Sequence, residues 1–135
     1  MDAGNPVTGR PPVANPLRIL VVDDHAGFRR RARSLLEEAG LDVVGEAGDG
    51  PECLLAVAAL RPDAVVLDVR LPGEDGFIVA ERLASLDSPP AVVLVSSRSL
   101  ADFGGRHLPA GVRGFIAKAD LSAPALRMLL AAGPA

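Results

Sequence analysis

Asp23, Asp24, Asp68, Ser96, Ser97 and Lys118 are the residues of this chain whose types and spacing could do chemistry. Each sits at the end of a short aliphatic run. Asp23-Asp24 follow LRILVV (17–22), Asp68 closes AVVLD (64–68), Ser96-Ser97 follow AVVLV (91–95), and Lys118 follows GFIA (114–117). Every interval between them is long enough for a helix and a strand, so side chains distant in sequence can meet at one edge of a parallel sheet. Three carboxylates crowded there would repel one another, and their pKa values would rise, unless a cation compensates. All-oxygen ligands with room left for water and a phosphoryl oxygen suit Mg²⁺ or Mn²⁺ better than zinc or a caged calcium. Lys118 adds a compact positive charge, and Ser96 a hydroxyl that can bond an anion beside the metal. The set is therefore expected to handle a phosphoryl group, with Asp68, alone at the end of its run, as the nucleophile of an aspartyl-phosphate chemistry. The adjacent pair Asp23 and Asp24 is placed to hold the ion.

The elements that must position these groups are legible in the same pattern. A fifth run, LDVVGEA (41–47), joins the four above, and longer stretches of helical spacing separate them. Phe28, Ala32, Leu35, Leu36 and Ala39 share one helix face before Gly40 stops it. PECLLAVAAL (51–60) follows Asp49 as N-cap, FIVAERLASL (77–86) runs from a Gly-rich turn to Pro89-Pro90, and SAPALRMLLAAG (122–133) opens on Ser122 as N-cap. The stretch 99–109 is a weak helix at best, because Gly104, Gly105 and Pro109 oppose it. The alternation predicts an α/β fold: a doubly wound, five-stranded parallel sheet of flavodoxin-like order 2-1-3-4-5 in three αβα layers. Residues 1–16, with four prolines, are expected to form a flexible tail ahead of a single domain over 17–133.

Composition removes whole classes of function. With 14 Lys and Arg against 17 Asp and Glu, the net charge of −3 gives no reason to bind nucleic acid directly. No apolar run approaches the roughly 20 residues that cross a bilayer, and no secretory leader is visible, so a cytoplasmic protein is expected. A P-loop would need GxxxxGK[ST] and a serine hydrolase GxSxG, and neither is present. Blander readings stand beside the sharp ones. His25 reads as a solvent-facing rim residue, and Arg29, Arg30, Arg31 and Arg33 as a solvated face that could also meet a partner. Cys53 reads as a small buried hydrophobe, and Met128 as core or a dimer face.

The segments ILVVDDH (19–25), VVLDVRLPGEDGF (65–77), VLVSS (93–97) and GFIAK (114–118) together resemble the receiver domain of bacterial two-component response regulators. The resemblance covers about residues 17–133. It implies that Asp68 accepts a phosphoryl group from a sensor histidine kinase, a phosphotransfer protein or a small donor such as acetyl phosphate. It further implies that Asp24, Asp68 and the backbone carbonyl of Arg70 ligate Mg²⁺, with Asp23 acting mainly through water. Ser96, Lys118 and the backbone amides of Arg70 and Ser97 would hold the phosphoryl oxygens. Phe115 matches the family's aromatic switch, whose rotamer follows the hydroxyl residue, here Ser96. Partners would then be the kinase and a downstream protein, with a phosphorylation-dependent dimer as a further expectation. A receiver-like interaction module without phosphorylation, and an aspartate-based Mg²⁺-dependent phosphatase, are the alternatives; the phosphatases carry an acid where this chain has Arg70.

The chain also departs from the pattern. Ala119 follows Lys118 where many receivers carry proline, so a trans bond is expected there, a cis one costing about 2.5–4 kcal/mol. Arg70 and Arg98 occupy the positions that tune phosphoryl lifetime in this family, and they imply slow self-dephosphorylation. VVDDHAGFRRRARSLLEEAG is most similar to receivers that precede LuxR-type helix-turn-helix domains, yet only Pro134 and Ala135 follow the last helix, so no output domain is expected within this sequence.

Overall fold

The computed structural model describes residues 16–98 and 107–131. In chain order the elements are β1 (Arg18–Val22), α1 (Ala26–Glu38), β2 (Asp42–Ala47), α2 (Gly50–Leu60), β3 (Ala64–Asp68), β4 (Arg70–Leu71), β5 (Glu74–Asp75), α3 (Gly76–Ala84), β6 (Ala91–Ser96), β7 (Val112–Ala117) and α4 (Ala123–Ala131). Five strands form one sheet in the order β2-β1-β3-β6-β7, all pairings parallel. The two-residue strands β4 and β5 pair with each other as a separate antiparallel ribbon, so the main sheet has the expected 2-1-3-4-5 topology.

Alternation along each strand divides the core in two. Ile19, Val21, Val66, Val93 and Val95 meet Phe28, Ala32 and Leu36 of α1 and Leu126 of α4 on one face. Leu20, Val22, Val65, Leu67 and Leu94 meet Cys53 and Val57 of α2 and Phe77, Ala80 and Leu83 of α3 on the other. Strands covered on both faces have no polar side to show water, which is why β3 reads AVVLD with every residue buried.

Local signals bound the helices close to where the sequence places them, although α3 stops at Ala84, two residues short of the expected 86. The Asp49 carboxylate accepts from the Glu52 amide at 2.8 Å and caps α2, and the Ser122 hydroxyl accepts from the Ala125 amide at 3.1 Å at the start of α4. Gly40, at φ +88°, takes the left-handed turn that closes α1. Strand β7 begins two residues earlier than its apolar run suggests, at Val112. Met128 is 74% exposed, so its reading as core is corrected: on so short a helix only Ala123 and Leu126 face fully inward. Of the doubtful helix, residues 99–106 lie outside the described residues, and 107–109 are not helical. Among the described residues no helix is long and apolar enough to cross a membrane.

Candidate functional site

Parallel pairing carries the carboxyl ends of β1, β3, β6 and β7 to one rim. Asp23 and Asp24 follow β1, Asp68 ends β3, Ser96 ends β6, and Lys118 follows β7. A cleft of about 240 Å³ opens there, lined by Asp24, His25, Asp68, Arg70, Leu71, Pro72, Ser96, Ser97 and Lys118. Asp23 lies beneath it, fully buried, and Asp68 and Ser96 are nearly so. The expected polar residues thus converge. Phe115, expected to be a switch, is half-buried and packed against the core on the α2 and α3 side.

Lys118 ties the site together. Its Nζ donates to Asp68 Oδ2 at 3.2 Å and lies 2.5 Å from Asp23 Oδ2. The shorter contact is an ion pair, so the fully buried Asp23 Oδ2 is met by the Lys118 ammonium. The other Asp23 oxygen accepts from the His25 amide at 2.8 Å, and the His25 Nδ1 stands 3.1 Å from it and 3.2 Å from Asp24 Oδ1. The Arg70 amide donates to Asp68 Oδ1 at 3.2 Å, and the Arg98 amide to Ser96 Oγ at 3.0 Å. The Lys118–Ala119 peptide is trans, as expected.

Burial pushes the Asp68 carboxyl above the usual carboxylate range and the Asp23 charge pushes it further, although the Arg70 amide and Lys118 pull the other way. Burial also works against the charge of Lys118, but the carboxylates of Asp23 and Asp68 outweigh it and its pKa is raised. One lysine therefore faces two buried carboxylates, an arrangement short of positive charge. Ligand atoms of Asp23, Asp24, His25 and Asp68 lie within 4.8 Å of one another. A mostly carboxylate donor set, with Asp23 and Asp68 buried and only one lysine between them, fits a hard divalent cation.

Several contributors were not singled out from sequence. Phe28 places its ring 4.7 Å from Lys118 Nζ. Arg29 Nη1 donates to the Asp23 carbonyl at 2.6 Å. Gly76 sits against the Asp68–Val69 backbone, its amide donating to the Val69 carbonyl at 2.6 Å. The second glycine of PGEDG was the available signal for the last; nothing in the sequence distinguishes Arg29 from its arginine neighbours.

Comparison with known proteins agrees with this geometry. Residues 19–128 match the family model described as the response regulator receiver domain. The transcriptional regulatory protein PdtaR of Mycobacterium tuberculosis is 37% identical over 105 residues, 78% of this chain and 51% of that protein. Among solved structures, the signal receiver domain of NarL from Mycobacterium tuberculosis superposes with a TM-score of 0.76 at 31% identity, covering 87% of this chain and 98% of that one. A LuxR-family two-component response regulator from Aurantimonas sp. SI85-9A1 gives 0.74 at 27% identity, covering 89% of both. The chain spans about half the length of several curated relatives it matches. On the family model, the relatives and the convergent strand-end residues together, the chain belongs to the response regulator receiver domain family.

Proposed function

We propose that Asp68 is the phosphoacceptor of a cytoplasmic two-component signalling protein, charged by a sensor histidine kinase, a phosphotransfer protein or a small acyl phosphate. The observation that carries this reading is the Lys118 ammonium set between Asp23 Oδ2 and Asp68 Oδ2 at 2.5 and 3.2 Å. A carboxylate oxygen of Asp68 attacks phosphorus, the bond from phosphorus to the donor breaks, and a phosphohistidine donor leaves as imidazole that takes up a proton. Lys118 swings from the carboxylates to the phosphoryl oxygens, and the Ser96 hydroxyl and the Arg70 and Ser97 amides hold the remainder. Asp24, Asp68 and the Arg70 carbonyl would hold Mg²⁺, or Mn²⁺, with Asp23 acting through water. When bound, that ion neutralises charge on the phosphoryl oxygens as they are transferred.

The new group adds about −1.5 to −2 charges and three acceptor oxygens. Drawing Ser96 Oγ toward it competes with the Arg98 amide bond and reshapes the end of β6, giving Phe115 reason to turn inward. The changed face then binds a downstream protein or a second copy. Arg70 and Arg98 are both exposed beside the cleft, where they shield the acyl phosphate from water and slow its loss.

The test is mass spectrometry after acetyl phosphate and Mg²⁺. One added phosphoryl group on the wild type and none on Asp68→Asn is the expected result. No phosphate on the wild type would leave only a binding module, and steady turnover of phosphomonoesters would indicate a phosphatase. The Arg70→Ala/Arg98→Ala double variant is expected to shorten phosphoryl lifetime.

A further inference from the structure

Asp23 is the first residue past β1, where the parallel ladder runs out. Its amide still reaches β2, donating to the Ala47 carbonyl at 3.0 Å. Its own carbonyl is met by Arg29 Nη1 at 2.6 Å. The same guanidinium donates through Nε to Glu46 Oε1 at 3.0 Å, and Arg33 Nη1 takes the second oxygen of Glu46 at 2.8 Å while its Nη2 reaches the Val43 carbonyl at 2.8 Å. Both backbone polar groups of Asp23 are therefore pinned, and the pin is braced by a two-arginine carboxylate fork on β2. Arg29 stands in the opening turns of α1, the end of a helix where a positive charge is disfavoured, with no acidic residue in the first turn to offset it.

We infer that Arg29 is a positioning residue for the cation and phosphoryl site: it fixes the Asp23 peptide so that one carboxylate oxygen caps the His25 amide and the other faces Lys118. The inference rests on the proposed function for its biological meaning, but the clamp acts on the acidic loop whether or not Asp68 is phosphorylated. Freed from Arg29, the Asp23–Asp24 peptide can rotate, and the carboxylates lose their common aim. Second-sphere partners of this kind typically govern about 10–100-fold of metal affinity. The sign of the effect is diagnostic. Simple electrostatics predicts tighter cation binding when a neighbouring positive charge is removed, whereas loss of positioning predicts weaker binding.

The experiment is calorimetric titration of the whole chain with MgCl₂ and MnCl₂, with amide hydrogen exchange at His25, for wild type, Arg29→Ala, Arg29→Lys and Arg18→Ala. Arg18 is the control because its Nη1 makes the same kind of bond, 2.7 Å to the Arg61 carbonyl, at the opposite end of β1. Arg29→Ala should raise the Kd for both ions about tenfold and speed exchange of the His25 amide. Arg29→Lys should fall between, since an ammonium reaches one partner but not the fork. Arg18→Ala should lower Tm without moving either readout. Tighter or unchanged cation binding in Arg29→Ala, or equal weakening in Arg18→Ala, overturns the inference. Acetyl phosphate labelling of the wild type in parallel separates the two ideas: a protein that binds the ions but takes no phosphate sinks the proposed function and leaves the clamp standing.

Discussion

Lys118 holds its ammonium 4.7 Å from the centre of the Phe28 ring while the same nitrogen faces Asp23 and Asp68. The ring belongs to α1 and is nearly buried, so an aromatic face stands where a lysine head on the rim would otherwise meet water. A contact of this kind contributes about 0.5–2 kcal/mol, more as the cation is desolvated, and Lys118 is only 13% exposed. It also limits where the ammonium can go. Phe28→Leu keeps an apolar filler and removes the quadrupole. The expected outcome is a loss of about 1–2 kcal/mol in urea unfolding and a several-fold slower uptake of phosphate from acetyl phosphate. Equal rates in the two proteins would show that the ring only fills space.

Asp68 is expected to cost the fold stability when it is ionised. Its folded pKa lies above the ordinary value because burial and Asp23 together outweigh the Arg70 amide and Lys118. A carboxyl with a raised folded pKa holds its proton longer in the native state. Stability therefore falls as pH rises from the unfolded value, about 3.9, through the folded one. Asp68→Asn removes that penalty, so at neutral pH without divalent ions the variant should melt higher than the wild type. Below the unfolded pKa the two should converge. Added Mg²⁺ should narrow the neutral-pH gap from the wild-type side, a comparison that thermal melts at several pH values would make.

The strand-end residues were legible because their positions follow from two simple facts: apolar runs become buried parallel strands, and parallel strands align their carboxyl ends. Cys53 was legible for a similar reason. It lies on an almost wholly aliphatic helix and is completely buried, which pushes its thiol up to about 12. Arg29 and Phe28 were not legible as parts of the site. Periodicity put Phe28 on the inward face of α1 but could not say that its ring would end against the lysine that follows β7. In the run Arg29-Arg30-Arg31 successive side chains diverge by about 100°, and only the tertiary position of Glu46 decides which of them turns back toward Asp23. For Met128, whose type allowed the core or a dimer face, the core half fails: its angle on α4 sends it outward.

Glu46 makes a second pH prediction, of opposite sign to that of Asp68. Partial burial works against its charge, but hydrogen bonds from Arg33 and Arg29 outweigh it and hold the carboxyl below the usual range. Arg33 is correspondingly raised by the same carboxylate. A depressed folded pKa contributes stability that is present above the unfolded value, about 4.3, and is lost as pH falls through the folded one. Glu46→Gln should lower Tm at neutral pH and flatten the acid limb of the Tm profile. An unchanged acid limb would mean that the fork contributes nothing measurable, as many surface pairs do.

Gly76 supplies the last prediction. It opens α3 directly against the backbone that carries Asp68. A Cβ there would collide with the Asp68 carbonyl oxygen and lie 2.8 Å from the Val69 Cα. Both obstacles are main chain, so no rotamer change relieves them. The ribbon of β4 and β5, or the end of β3, must move instead. Gly73, three residues earlier, offers a contrast: its φ of +68° strains any side chain, but among the described residues nothing lies within 4 Å of an added Cβ. Gly73→Ala should therefore cost about 1–2 kcal/mol from its left-handed backbone alone. Gly76→Ala should cost about 3 kcal/mol or more and should also displace the Asp68 carboxylate. Urea unfolding gives the first comparison and acetyl phosphate labelling the second. If Gly76→Ala folds as stably as Gly73→Ala and is phosphorylated at the wild-type rate, the close approach of α3 to Asp68 has no part in holding the site.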